Sequence, residues 1–317
     1  VFTRNVTESI NLLLKGFLEP GDHVIVTSME HNAVMRPLTQ LTAKGITFSR
    51  AACSPQGDLD PNDIERLITP RTKLVLTTHA SNVCGTATPI REIAKVCRAH
   101  GVRFAIDAAQ SAGVLPIDAR AWGIDAVCFT GHKGLLGPQG IGGIMFTGDF
   151  SNEVSALLAG GTGSSSDLES MPSFMPDKLE AGTPNLLGIV GLGAGIEWIN
   201  NNGIDTIREH ELALAGRLME GMAPLEEAGL VRIVGKKGLT GRTGVVSIQT
   251  PHHELAQVAH ALDAEFGIQV RVGLHCAPSA HKTLGTFPTG TIRFSMGWSN
   301  TEIDIDSALF ALRHLLS

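Results

Sequence analysis

Two stretches decide the reading: Arg103-Phe104-Ala105-Ile106-Asp107-Ala108-Ala109-Gln110 and, after one helical interval, Ala126-Val127-Cys128-Phe129-Thr130-Gly131-His132-Lys133. Each is a short apolar run ending in polar residues, and the second passes straight into the Gly-rich turn Gly134-Leu135-Leu136-Gly137-Pro138. Short apolar runs bounded by turn residues read as buried strands. The same pattern recurs at His23–Thr27, Ile46–Ala51, Lys73–Thr78 and Gly142–Thr147, all expected as buried strands. Between them, Asp60–Ile68 and Pro89–His100 carry apolar residues at helical spacing. This alternation predicts an α/β fold, a mostly parallel sheet with crossover helices on both faces.

Farther along, Gly160–Ser170 lacks any period and reads as a mobile surface loop. A small-residue helix from about Leu186 to Asn201 is expected to pack against its neighbours, followed by a longer helix from Ile204 to Ala228. The pattern then changes to strand Gly244–Gln249, helix Glu254–Phe266, strands Gln269–Val272 and Thr291–Met296, and closing helix Thr301–Leu316. Two domains are expected, residues 1–203 and a smaller α+β domain of residues 204–317. The chain begins at Val1, inside what reads as a strand and without a methionine, so upstream residues are expected.

Composition narrows the partners. Of 317 residues, 43% are hydrophobic and 18% charged, enough for a large core. The net charge of −6 offers no basic excess to neutralise a phosphate backbone, so nucleic acid is set aside. The longest nearly apolar run, Leu186 to Ile199, is too short to span a bilayer, and no membrane partner is expected. Five scattered cysteines, Cys53, Cys84, Cys97, Cys128 and Cys276, have no CxxC spacing. No metal site is expected, and a reducing cytoplasm is the expected location.

Ligands of open α/β sheets bind beyond the carboxyl ends of the strands. There the sequence collects Asp107 and Gln110, then Thr130, His132 and Lys133, then His79, Ser81 and Asn82. Taken singly, Asp107 reads as a turn former and Lys133 as a solvated side chain. An amine and an acid on one sheet edge, with phosphate-suited donors beside them, fit pyridoxal 5′-phosphate (PLP) held as a Schiff base. Lys133 supplies the amine and later the base, Asp107 faces the pyridine nitrogen, and Gln110 bonds the ring hydroxyl oxygen. Asn5-Val6-Thr7-Glu8 opens a helix as a capping box, Asn5 as N-cap and Glu8 at the third position. The N–H groups at Val6 and Thr7 are then available to a phosphate.

These motifs, with Ser28-Met29-Glu30-His31-Asn32-Ala33, His79-Ala80-Ser81-Asn82-Val83 and Glu180-Ala181-Gly182-Thr183-Pro184-Asn185, resemble the class V aminotransferase fold. The closer likeness is to the SufS-like cysteine desulfurase and selenocysteine lyase branch, over nearly the whole chain. The resemblance implies PLP-dependent transferase fold type I. It implies that His31 stacks on the pyridine face, a role no tyrosine can take in a chain with none. It further implies phosphate ligands Thr130 and His132, and Asn82 near the substrate carboxylate and ring oxygen. Thr183 would reach the phosphate of a partner subunit, making a homodimer with shared sites. Arg293 would grip the substrate carboxylate, with Arg271 in the same pocket.

Free cysteines are most often buried small hydrophobes, and four of the five read that way. Cys276 lies in the polar loop Arg271-Val272-Gly273-Leu274-His275-Cys276-Ala277-Pro278, where His275 and nearby cations are expected to favour its thiolate. In the resembled enzymes this position forms the persulfide; Leu274 stands where they carry a histidine. The implied activity is conversion of L-cysteine to L-alanine with sulfur left on Cys276. An acceptor protein would then take the sulfur, in iron–sulfur cluster assembly. Alternatives are a selenocysteine lyase, another carbon–sulfur lyase, a class V aminotransferase, and a non-catalytic sulfur-transfer scaffold. Gly191-Leu192-Gly193-Ala194-Gly195 hints at a dinucleotide loop, but no strand precedes it and Ile196 breaks the frame.

Overall fold

A computed structural model describes residues 1–317. The first part of the chain forms β1 (Phe2–Thr3), α1 (Val6–Phe17), β2 (His23–Thr27), α2 (Asn32–Thr42), β3 (Thr47–Ala51), α3 (Pro61–Leu67) and β4 (Thr72–Thr78). It continues with α4 (Ile90–Ala99), β5 (Arg103–Asp107), α5 (Ala119–Trp122), β6 (Ala126–Thr130), β7 (Gly142–Phe146), α6 (Phe150–Glu153) and α7 (Leu186–Asn202). The remainder comprises α8 (Ile204–Glu227), β8 (Arg232–Val234), β9 (Val245–Gln249), α9 (Leu255–Phe266), β10 (Arg271–Gly273), α10 (Pro278–Thr283), β11 (Thr291–Ser295) and α11 (Glu302–Leu316).

Seven strands form the larger sheet in the order β1-β7-β6-β5-β4-β2-β3. Strands β2 to β6 are parallel to one another, β7 runs antiparallel to β6, and β1 at the edge runs antiparallel to β7. Apolar cores cover both faces, one built with α1 and α2, the other with α3 and α4. The second sheet is antiparallel, β10-β11-β9-β8, and buries one face under α8, α9 and α11.

The strand order reverses between β2 and β4. From β2 the chain moves outward to β3, then returns to the other side of β2 for β4, β5 and β6. That switch opens a crevice between the loops leaving β2 and β4, the general place for a ligand in such sheets. The residues following β2, β4, β5 and β6 all lie at this end.

One expectation needs correction. Thr47–Ala51 forms a strand but is not buried throughout: Thr47 and Arg50 are exposed, because β3 is the sheet edge. The Leu186–Asn202 helix forms and packs against its neighbours along one side. Gly188, Leu192, Gly195 and Ile199 turn inward, while Leu186, Leu187 and Val190 are 63%, 88% and 71% exposed. Its small residues serve close approach on one side: a Cβ at Gly195 would fall 2.4 Å from the Leu135 carbonyl oxygen. The short elements β8, α5, α6 and α10 escape a periodicity reading because each is shorter than two helical turns or a full strand.

Candidate active site

Asp107 ends β5 and is almost fully buried. Its Oδ1 accepts from the Ala109 N–H at 2.9 Å, which fixes the carboxyl in the turn. Burial raises its pKa, opposed by that N–H and by the charge of Lys133. Lys133 is reachable from solvent and makes no hydrogen bond or ion pair, yet the protein crowded around it lowers its amine pKa. Asp107 opposes that shift and Arg293 adds to it. The acid, the amine and the arginine are therefore within electrostatic reach of one another, as their strands predict. A cleft of about 280 Å³ is lined by Gln110, Lys133, Glu211, Arg293 and Trp298, among others.

His31 stands at the N-terminus of α2. Its Nδ1 accepts from the Ala33 N–H at 3.0 Å, so the ring caps the helix and its proton belongs on Nε2. Burial, then Lys133, Arg36 and Arg293, lowers its pKa to about 4, leaving a neutral ring at physiological pH. The capping bond thus leaves the ring within electrostatic reach of Lys133.

At the start of α1, Asn5 accepts from the Glu8 N–H at 3.1 Å. The expected capping box is incomplete: the Glu8 carboxylate reaches back to the Arg4 N–H rather than to that of Asn5. The Val6 and Thr7 N–H groups keep no protein acceptor, and the side chain of Thr7 is exposed. The backbone of Asn5 abuts Gly142, where a Cβ would fall 2.8 Å from the Asn5 Cα, and Gly142 pairs with Thr130. The helix N-terminus therefore lies beside the end of β6. There Thr130 Oγ1 and His132 Nδ1 are 3.0 Å apart, with His132 itself exposed. Unpaired N–H groups, a helix dipole, a hydroxyl and an imidazole form a donor set for an anion.

Arg293, in β11, lies directly opposite Arg271 in β10. Two like charges in cross-strand register destabilise a ladder unless an anion joins them. Burial and Arg271 both lower the Arg293 pKa. Its Nη1 donates to the Asn82 carbonyl at 3.0 Å, while its buried Nε has no protein partner. Asn82 is buried, and its Nδ2 donates to the His275 carbonyl at 2.7 Å.

Cys276 is exposed, whereas Cys84, Cys97 and Cys128 are buried and Cys53 is half-buried. The Cys276 carbonyl accepts from the Asn32 N–H at 2.8 Å, placing the loop against the residue that follows His31. The expectation that His275 promotes the thiolate fails. Its ring is buried, with Nε2 bonded to Thr291 Oγ1 at 2.9 Å. Burial and neighbouring cations push its pKa down to about 3, so it supplies no positive charge. Thr183 is exposed and lines a separate cavity with Arg4, Glu8 and Asn185, away from the Lys133 cleft of its own chain.

Two participants escaped the sequence reading. Asn32 docks the cysteine loop through its backbone, which no side-chain motif reveals. Glu30 is wholly buried; it accepts from Thr27 Oγ1 at 2.7 Å and from the Thr78 N–H at 3.0 Å to each oxygen. It ties the turn carrying His31 to the end of β4, where Thr78 pairs with Asp107. An acid between Met29 and His31 directly after an apolar strand was the available signal.

The residues fit PLP. Unpaired N–H donors at the start of α1 beside the end of β6, a buried carboxyl within electrostatic reach of Lys133, and an arginine pair with an unpartnered Nε are the groups that a phosphorylated pyridine aldehyde and an amino acid carboxylate require.

Comparison with known proteins agrees with this geometry. The model of the family described as aminotransferase class-V matches residues 1–308. A protein of Methanothermobacter thermautotrophicus named "Probable cysteine desulfurase" is 35% identical, the match covering 96% of this chain and 76% of that one. The "Cysteine desulfurase" of Dickeya dadantii is 32% identical over 99% of this chain and 76% of its own. Among solved structures, the apo cysteine desulfurase of Thermococcus onnurineus NA1 superposes with a TM-score of 0.90 at 33% identity, covering 100% of this chain and 78% of that one. The Escherichia coli cysteine desulfurase CsdA gives 0.89 at 30%, covering 100% and 79%. The chain belongs to the class V aminotransferase family of PLP-dependent enzymes.

Proposed function

We propose that this chain is a PLP-dependent cysteine desulfurase, converting L-cysteine to L-alanine and leaving the sulfur as a persulfide on Cys276. The observation that carries the reading is the placement of one exposed thiol. Cys276 is exposed and held against the His31–Asn32 turn, in the loop that follows Arg271. An enzyme that only moves amino groups has no use for a thiol there.

When bound, PLP supplies an electron sink that acidifies the α-proton of an amino acid. The chain supplies the rest. Val6, Thr7, Thr130 and His132 would hold the phosphate, and Asp107 would keep the ring nitrogen protonated. His31 would stack on the ring with a neutral imidazole, and Gln110 would bond the ring hydroxyl oxygen. Arg293, with Arg271 beside it, takes the substrate carboxylate through its Nε–Nη2 edge, where a planar fork favours bidentate pairing. Lys133 Nζ moves the proton at the substrate α-carbon, its lowered pKa suiting it to act as a base. Cys276 Sγ then attacks the substrate sulfur; one S–S bond forms and one C–S bond breaks. Cysteine plus thiol gives alanine plus persulfide, with atoms balanced.

The exposed face of α7 supports a homodimer. Leu186, Leu187 and Val190 offer an apolar surface, and Thr183 immediately precedes it, positioned to reach a partner's phosphate site. The persulfide then passes to an acceptor protein, in the cytoplasm and toward iron–sulfur cluster assembly. No helix is long and apolar enough to cross a membrane. The two sheets are taken as two domains, divided between residues 203 and 204.

The test compares Cys276→Ser with the parent protein. The variant is expected to keep the cofactor's visible absorbance and to form almost no alanine from cysteine. Full turnover by Cys276→Ser would refute the reading. With selenocysteine as a second substrate, selenide release independent of Cys276 alongside inert cysteine would reassign the enzyme as a selenocysteine lyase.

A further inference from the structure

Two features that the reaction needs to act together meet at Asn82. Its main-chain carbonyl accepts from Arg293 Nη1 at 3.0 Å, and its side-chain Nδ2 donates to the His275 carbonyl at 2.7 Å. The first bond holds the guanidinium whose Nε is buried and unpartnered. The second holds the turn that presents Cys276.

That turn is strained. His275 and Cys276 are consecutive non-glycine residues at φ of 48° and 56°. The left-handed region is disfavoured for residues with a Cβ, so such a pair persists only where its surroundings impose it. Four bonds impose it here: the Ala277 N–H on the Leu274 carbonyl across the turn at 2.8 Å, Asn82 Nδ2 on the His275 carbonyl, the Asn32 N–H on the Cys276 carbonyl, and Thr291 Oγ1 on the His275 ring. Asn82 is buried, so removing its donor leaves the His275 carbonyl unsatisfied and the strained turn less firmly held.

We propose that Asn82 is a positioning residue that couples carboxylate capture at Arg293 to the placement of the Cys276 thiol. A carboxylate settling on the Nε–Nη2 edge moves the guanidinium, the Nη1 bond carries that movement to Asn82, and the Nδ2 bond passes it to the turn. The use of that thiol rests on the desulfurase reading; the coupling itself rests on the bonds.

The experiment follows alkylation of Cys276 by iodoacetamide in the PLP-loaded protein, without and with saturating L-alanine, which brings a carboxylate but no sulfur. Absorbance titration matches occupancy between variants. In the parent, alanine changes the alkylation rate about fivefold or more, the lower end of ordinary coupling between sites. Asn82→Ala raises the basal rate and abolishes the alanine response. Asn82→Asp keeps the size and the main-chain bond but cannot donate to the His275 carbonyl, so it carries the same expectation if the alanine variant fails to fold. Thr291→Val loosens the turn from its other side and leaves the alanine response in place. A parent thiol indifferent to alanine, or an Asn82→Asp variant with the parent's response, overturns the coupling. Sulfur transfer from cysteine is assayed on the parent alone: no sulfur on Cys276 refutes the desulfurase reading whatever the alkylation rates show.

Discussion

Replacing Glu30 by glutamine separates its ionisation from its shape. The carboxyl is wholly buried, and burial pushes its pKa up to about 8. Its bonds to Thr27 and Thr78 oppose that shift, and the charge of Asp107 adds to it. In the unfolded chain a glutamate titrates near its ordinary value of about 4.5. The folded pKa is raised, so the folded state holds the proton longer. The contribution to stability is fully present below the unfolded pKa and is lost as pH rises through the folded one. From about pH 7 to about pH 9 a folded pKa near 8 costs roughly 1 kcal/mol. Glutamine has no such titration, and its carbonyl can occupy the Oε1 position, which takes bonds from Thr27 Oγ1, Thr27 N and Thr78 N. Glu211, raised by burial to about 7, titrates in the same window and does so in both proteins. The quantity to measure is therefore the difference between parent and Glu30→Gln in urea unfolding at both pH values. The parent is expected to lose about 1 kcal/mol more than the variant on going to the higher pH. Identical losses would show that Glu30 does not hold a proton in the fold, and the linkage argument would fail.

Two further outcomes test other parts of the structure. At His31, asparagine keeps an N-cap while removing the ring. His31→Asn should therefore stay near parental stability and bind PLP more weakly, whereas His31→Ala should also lose about 1 kcal/mol in urea unfolding; equal stability of the two would remove the capping role. On α7, Leu187→Glu places a charge on the proposed dimer surface, and sedimentation should show monomers that bind PLP less tightly than the parent dimer. A dimer unchanged by that substitution would move the interface elsewhere.

The parallel sheet and its chemistry were legible because β2, β4, β5 and β6 are buried runs ending in unusual polar residues. A strand buried on both faces has one reading, and polar groups at its carboxyl end mark the ligand side. Asp107 and Lys133 were singled out this way, whereas Arg293, inside an antiparallel strand, came only from the family resemblance; Lys133 lies within electrostatic reach of both. Burial at the edge was misread because Thr47–Ala51 has strand composition, and composition does not say which strand lies outermost. His275 was misjudged for a related reason. Adjacency in sequence to Cys276 suggested a cation, but a left-handed turn at both residues sends the ring inward to Thr291 and the thiol outward. Glu8 reached Arg4 instead of Asn5, a choice between neighbouring N–H groups that spacing alone leaves open. Asn32 acts through backbone docking, which leaves no chemical signature in the sequence, and the buried tether of Glu30 is marked there only by an acid that directly follows an apolar strand.

The account depends first on Lys133 being the amine that bonds PLP. Borohydride reduction of the PLP-loaded protein, followed by peptide mass mapping, tests this directly. The predicted result is a single reduced pyridoxyl adduct on the peptide containing Lys133, lost in Lys133→Ala. An adduct on any other lysine, or cofactor bound with no reducible link, would contradict it.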